Sequence, residues 1–546
     1  MSACPFLSDN QAKNLHILIR PCHQSDRRRT FRLTQRRRCL TLWPFYMDGY
    51  RNYFANRAMR RIAVSLLVPI ALTLPCHALV STNVPLDHWS YDAVEKLANY
   101  GYIDSAMLAI KPVTRVEMAR HISQAKHQFE REEEPSAILS SLLDRLTREF
   151  KAELILIGAI DGWQGDSFVK PVEDPYVKYL YARSDPDLEN LRGDRFEDGS
   201  NYRAGFASRG KFFDTFAYYL HPEYVDASSA GDGDVDLIEG YGKVAVGNYE
   251  LQMGKDSLWW GPGYHGSILM SNNAQPLRMV KLSTPQPIQL PWIFGCLGPF
   301  KGEWFLTELE DDRDIPEARL SGIRLNARPH PLVELGLSRL VMFGGRGVSR
   351  VDLFDYIKAF FALSEQSENN QLAGFDVSFL LPLGQNIPLR SIKLYADAAG
   401  EDEAGGYPSK WGYLLGAQFN DLLRTGRTDL RIEYADTHRL FYVHSLYTSG
   451  YTYKGRVMGH YIGPDSRNVR CQVSHYVTDD MVVDVGFDRR LYDQSTHTQS
   501  RLNAFECDLT LFASADWQVR TGYRYEDGSA TEEDNHIFQL QLIREF

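Results

Sequence analysis

The fold is decided by residues 536–546, HIFQLQLIREF. In an extended chain, successive side chains point to opposite faces. Phe538, Leu540, Leu542 and Phe546 therefore share one face, which Arg544 interrupts. An apolar face that alternates with a polar one is typical of a strand with lipid on one side and a polar interior on the other. The segment predicts such a strand.

The same alternation extends upstream to about residue 175. Val483, Val485 and Phe487 share one face, and Asp484 and Asp488 share the other. Other β-rich runs follow one another between turn signals: 176–181, 212–224, 240–246, 332–342, 375–381, 392–396, 413–419, 430–434, 505–512 and 517–525. This pattern indicates a β-sandwich pair, a propeller or a barrel. The absence of a blade-length sequence repeat weakens the propeller.

An aromatic residue at the end of an alternating last strand resembles the assembly signal of outer-membrane barrels. The chain contains 30 Tyr, 28 Phe and 9 Trp, and those near strand ends are typical of the aromatic girdles of such barrels. At about 20 residues per strand with its connection, residues 175–546 allow roughly 18 strands. We therefore expect an all-β fold, a large antiparallel transmembrane β-barrel. No apolar run reaches the ~18 residues that a membrane-spanning helix needs.

The N-terminal region has the pattern of an exported protein. Met59-Arg60-Arg61 precede the largely apolar run Ile62–Leu74, and Cys76-His77-Ala78 follow it. This order of a basic segment, an apolar segment and small residues predicts a signal peptide over residues 59–78. Residues 1–58 are expected to be a disordered extension or a stretch upstream of the true start codon.

Residues 84–160 are predicted to be helical and periplasmic. Trp89, Ala93, Val94 and Leu97 have helical spacing, and Thr114–Glu117 has capping-box form. Asp87-His88-Trp89, Gly101-Tyr102-Ile103 and Thr114-Arg115-Val116-Glu117 resemble an S-layer homology module. That resemblance implies binding of peptidoglycan or another wall polymer through residues 84–120, with Trp89, Arg115 and Glu117 as candidates. A helical pair packed near the barrel mouth is the alternative.

The segment 254–274, GKDSLWWGPGYHGSILMSNNA, combines adjacent aromatic rings, amides and glycines. Aromatic rings stack on the apolar faces of sugars, and amides share hydrogen bonds with hydroxyl groups. The segment therefore predicts a polysaccharide-binding surface, although packing tryptophans and turn glycines would give the same composition. The candidate residues are Trp259, Trp260, Tyr264, His265, Asn272 and Asn273.

The same segment, with Thr284-Pro285 and Pro291-Trp292 after it, resembles the Wzi-type capsule assembly family of outer-membrane proteins. Glu433-Tyr434 and Gly459–Pro464 are weaker points of likeness. The resemblance implies a large monomeric outer-membrane barrel with helical elements on its periplasmic side. It also implies that the barrel binds capsular or other surface polysaccharide, helps to assemble or attach capsule, and is not an enzyme.

Two other functions stay open at this point. One is a porin-like channel, and the other is an outer-membrane glycan hydrolase that uses a carboxylate pair such as Glu308 and Glu310. We expect no catalytic residues, metal or cofactor. The G-x-G-x-x-G match at Gly261–Gly266 does not predict a dinucleotide cofactor, because it lacks the strand before it and the helix after it that such a site needs. The net charge of −10 disfavours a nucleic-acid partner.

Overall fold

The computed structural model describes residues 79–546, except for residues 133–135, 164, 228–232, 350–355, 357–368, 405–406, 497, 515, 531–532 and 546. The predicted extension (1–58), the predicted signal peptide (59–78) and Phe546 lie outside the described residues.

The N-terminal region is helical, as predicted. Its helices are α1 Ser90–Asn99, α2 Arg115–Phe129, α3 Ala137–Glu149 and α4 Lys151–Leu156. The side chain of Thr114 caps α2 by accepting a hydrogen bond from the Glu117 amide at 3.2 Å. Helices α3 and α4 are separated at Phe150, whose φ of −101° and ψ of 21° are not helical. None of the helices that the structure describes is both long and apolar enough to cross a membrane.

The rest of the chain forms a closed ring of eighteen antiparallel strands in the described residues, as the sequence predicted. Each strand pairs with the next along the chain. The strands are β1 Phe168–Ala182, β2 Gly199–Phe212, β3 Phe216–Ala227, β4 Asp234–Val246, β5 Tyr249–Asp256, β6 Leu277–Ser283, β7 Pro299–Glu308, β8 Arg319–His330, β9 Val333–Phe343, β10 Asn369–Pro382, β11 Ser391–Ala404, β12 Tyr407–Asn420, β13 Thr428–Thr437, β14 Ser466–Tyr476, β15 Met481–Tyr492, β16 Ser500–Ser514, β17 Trp517–Asp527 and β18 Asn535–Arg544.

The ring is closed by β18, which pairs with β1. Tyr176 lies opposite Ile543 and Leu180 lies opposite Gln539. Closure matters because the hydrocarbon core of a membrane cannot satisfy the hydrogen-bonding groups of a free strand edge.

Two strand boundaries differ from the prediction. β1 begins at Phe168 instead of about residue 175, and its pairing with β2 shifts register on either side of Glu173. The predicted β-run 212–224 is two strands joined by a tight turn, in which Phe213 and Asp214 have φ values of 53° and 52°. Such positive values at both central residues are typical of hairpin turns, and the aromatic side chain of Phe213 concealed this one.

The two faces of the barrel differ in polarity. Leu337 and Val485 are 60% and 52% exposed on the outer face. Lys243, Arg324 and Glu433 are buried on the inner face. A polar interior inside an apolar outer surface is the arrangement of a barrel surrounded by lipid.

This arrangement predicts that the cost of a charge on the outer face depends on its depth. Leu337→Arg, in the middle of β9, should lower the free energy of unfolding by about 2–4 kcal/mol. Val246→Arg, at the end of β4, should lower it by about 0–1 kcal/mol. Denaturant unfolding of the protein in lipid vesicles measures both values, and equal losses would contradict a lipid-embedded outer face.

The two ends of the barrel have different connections. At the end that we call the turn end, the connections include the short turns 213–215, 247–248 and 331–332. At the opposite end, the loop end, they include the long segments 183–198, 257–276 and 438–465. Residues 79–160, which we call the plug, contact the inner wall near the turn end.

Candidate functional site

The plug is attached to the barrel wall by buried ion pairs. Lys96 of α1 lies 2.6 Å from Asp429, and Glu117 of α2 lies 2.7 Å from Lys301. Pairs of this kind resist separation, because removing one partner leaves an uncompensated charge in a buried position. The ion pairs fix the position of the plug against β7 and β13.

The three predicted wall-polymer residues all have partners within the barrel or the plug. Arg115 pairs with Glu149 at 2.8 Å and with Glu153 at 2.9 Å. Trp89 packs edge-on against Phe512 of β16 with ring centroids 5.6 Å apart. Together with the Glu117 pair, these contacts make residues 84–120 a part of the plug attachment, which is the alternative that the sequence left open.

The predicted sugar-binding segment is not a surface loop. Residues 257–276, which we call the inner loop, leave β5, turn into the barrel and return to β6. Trp259 and Trp260 form a short antiparallel pairing with Lys111 and Ile110 of the plug. The indole N–H of Trp260 donates to Glu303, and its ring packs against Phe305 at 5.4 Å. The tryptophan pair therefore belongs to the buried core of the barrel.

Two carboxylates of the wall hold the inner loop in place. Glu433 of β13 accepts hydrogen bonds from the backbone amides of Tyr264 at 2.7 Å and His265 at 2.9 Å. Asp397 of β11 accepts one from the amide of Ile268 at 2.9 Å. These bonds satisfy amides that the loop would otherwise bury without a partner.

Residues 438–465, which we call the cap loop, cover the inner loop from the loop end. The Tyr451 hydroxyl donates to the carbonyl of Leu269 at 2.8 Å. Ser271 donates to the carbonyl of Gly459 at 2.6 Å, and the Asn273 amide group donates to the carbonyl of Val457 at 3.0 Å. The plug, the inner loop and the cap loop thus lie one above another in the lumen.

The six predicted sugar-binding residues are close together but enclosed. Trp259, Trp260, His265 and Asn273 are buried. Asn272 lines a large lumenal cavity and Tyr264 lines a smaller one. Their contact with polysaccharide stays a prediction, because the described contacts are structural ones.

Sequence reasoning missed the roles of Glu433 and Asp397. Glu433 drew notice only as a point of family likeness. The sequence signal for these roles was an acidic residue on the inward face of β11 and another on the inward face of β13. Acidic residues are common in a polar lumen, so this signal did not single out either one. Their partners lie far away in the sequence.

The larger cavity, of about 1240 Å³, lies between the plug and strands β1–β4, β17 and β18. Asp87 of the plug and Arg192 of loop 183–198 form an ion pair at 3.2 Å beside it. Partial desolvation in the lumen opposes ionisation of Asp87, but Arg192 and Arg520 outweigh it and lower the pKa of this carboxyl to about 2. Burial lowers the pKa of the neighbouring His88 to about 4. At neutral pH Asp87 is therefore charged and His88 is neutral.

Comparison with solved structures supports the fold. Wzi of Escherichia coli, an outer-membrane protein involved in group 1 capsule assembly and a carbohydrate-binding β-barrel, is 18% identical with a TM-score of 0.66. The match covers 84% of this chain and 99% of that one. At this level of identity, the likeness shows a shared fold.

Sequence comparison identifies the family. A 55.8 kDa protein of the Klebsiella pneumoniae cps region is 24% identical over 367 residues. The match covers 66% of this chain, which spans 65% of the length of that relative. The comparisons give no support to the S-layer resemblance of residues 84–120. A family model described as capsule assembly protein Wzi matches residues 179–540. Because this match covers more than half of the chain, the protein belongs to the Wzi family of capsule assembly proteins.

Proposed function

We propose that this protein binds surface polysaccharide in the outer membrane and helps to attach or assemble capsule, without catalysis. One observation carries the proposal: the lumen holds the plug, the inner loop and the cap loop, each bonded to the next or to the wall. A lumen arranged in this way suits binding better than free passage of solutes. Membership of the capsule assembly family supports the same function.

The proposal includes an orientation. Outer-membrane barrels have short turns on the periplasmic side and longer loops outside the cell. The turn end and the plug therefore face the periplasm, and the loop end with its cap loop faces outward. Polysaccharide would meet the protein, a monomer in the membrane lipid, at the loop end. Contact of the plug with a wall polymer would require Trp89, Arg115 and Glu117 to give up buried contacts.

Deleting the gene tests the function directly. We expect cell-bound polysaccharide to fall several-fold and released polysaccharide to rise, because polymer made by the cell would lack its surface attachment. Complementation with the wild-type gene should restore retention. Retention that is unchanged in the deletion strain would overturn the capsule role.

The larger cavity favours a porin-like channel as the second candidate, since residues from both ends of the barrel line it. Planar-bilayer recording separates the two functions. A binder with a fixed plug should give no steady conductance, whereas a channel should give reproducible open steps.

A further inference from the structure

The larger cavity has the chemistry of a saccharide site. Its wall on β17 and β18 carries the amide side chains of Gln518, Gln539 and Gln541. Tyr176 contributes an aromatic ring to the same cavity. Amides can both donate and accept hydrogen bonds, as hydroxyl groups do, and rings offer flat apolar surfaces to the C–H faces of sugars.

Several side chains in the cavity wall carry unsatisfied polar atoms. His221 Nδ1, Asn272 Oδ1 and Gln518 Nε2 are buried and have no hydrogen-bond partner among the described residues. A buried polar atom without a partner destabilises the folded protein, because it has lost its hydrogen bonds to water. All three residues line the cavity, so a rotation of these side chains toward the hydroxyl groups of a ligand would supply the missing partners.

The charges around the cavity are mixed. Asp174 and Asp234 line it together with Lys178 and Lys255. Interspersed charges of both signs create no strong field for an anion or a cation, unlike a surface of one sign. The wall therefore suits an uncharged, hydroxyl-rich ligand.

The size of the cavity decides between a monosaccharide and a chain. Its volume of about 1240 Å³ exceeds the ~300–1,000 Å³ of ordinary small-molecule pockets. Its lining includes Lys454 of the cap loop and His88 of the plug, so it reaches from the loop end toward the turn end. Such a volume can hold several linked sugar units.

We propose that this lumenal cavity binds a segment of the surface polysaccharide, through hydrogen bonds from the amides of β17 and β18 to neutral sugar hydroxyl groups. The inference rests on the proposed function and adds the place where the chain is held. A polymer that enters at the loop end would be bound inside the barrel, in addition to any contact that it makes with the outer loops.

The test uses the full mature protein in detergent and three probes. They are polysaccharide purified from the encapsulated parent strain, short oligosaccharides cut from it, and a maltooligosaccharide as an unrelated sugar. Neither Gln518 nor Gln541 makes a side-chain hydrogen bond to another described residue, so Gln518→Leu/Gln541→Leu removes wall amides without breaking such a bond. Gln289→Leu, on the short strand Ile288–Gln289 beside β7, is the matched control outside the cavity.

Calorimetry should show that the double variant binds the parent oligosaccharides about tenfold more weakly than the wild type and the Gln289→Leu control. Ala207→Trp, which places a bulky ring in the cavity wall, should give the same loss by blocking space. If the wild type binds the polymer and both cavity variants bind the oligosaccharides equally well, the cavity is not the site, although the proposed function stands. If the wild type binds none of the parent sugars, the proposed function itself fails. Binding of the maltooligosaccharide with equal affinity would overturn recognition of the parent polysaccharide.

Discussion

Glu433→Ala is expected to release the inner loop from the barrel wall. The carboxylate accepts hydrogen bonds from the amides of Tyr264 and His265, and from the Tyr395 hydroxyl at 2.7 Å. Hydrogen bonds to a charged group contribute about 1.5–3 kcal/mol each, and buried amides left without acceptors add a penalty. The two bonds from the loop amides alone therefore contribute at least about 3 kcal/mol, and their loss would raise amide exchange in the loop by about two orders of magnitude or more.

Hydrogen exchange at residues 261–270, followed by mass spectrometry, measures this change. Glu433→Gln keeps one acceptor oxygen and should give an intermediate rate. Asp436→Ala is the matched control, because Asp436 lies on the same strand but on its outer face, where it pairs with Arg467. Wild-type exchange rates in Glu433→Ala would mean that the cap loop and the plug hold the inner loop without the wall.

Arg324→Ala is expected to have the largest effect on stability. The guanidinium makes two hydrogen bonds to Asp376, one to Ser338 at 2.9 Å and one to the carbonyl of Ala109 in the plug at 3.0 Å. Both charges of the pair are almost fully buried. Removing one partner of such a pair costs about 3–5 kcal/mol, because the other charge stays behind uncompensated.

Denaturant unfolding in lipid vesicles would measure this loss, and limited proteolysis would show whether the plug becomes accessible. Arg319→Ala on the same strand is the control. Arg319 is more than half exposed and lies 3.8 Å from an equally exposed Glu308, so its loss should change stability by less than about 1 kcal/mol. Similar losses in both variants would contradict the role of Arg324 as a bridge between wall and plug.

The fold was largely predictable because each strand carries in its own sequence the alternation of apolar and polar residues that determines the fold. Lipid on one face and a polar lumen on the other impose a period of two, which is visible at Val483–Asp488 without any knowledge of distant contacts. The strand count followed from the length of this pattern. The turn at Phe213 was missed because its positive φ values come from tertiary pairing and not from a glycine or asparagine.

The site was much less predictable. The composition of residues 254–274 indicated sugar binding and packing equally, and only the fold shows that Trp259 and Trp260 are enclosed beneath the cap loop. The inner loop turns inward because its amides bond to Glu433 and Asp397, which lie more than 120 residues away in the sequence. No local sequence pattern links residues so far apart. The sequence did not predict a role for the glutamines of β17 and β18 in a binding site, because polar residues at alternate positions are what any lumenal face shows.

The pairing of β1 with β18 makes the closure of the barrel depend on two segments that are far apart in the sequence. Before residues 535–544 pair, β1 and β17 each keep an edge that is unpaired in this register. A product truncated upstream of residue 535 would therefore present open edges to the bilayer and to proteases.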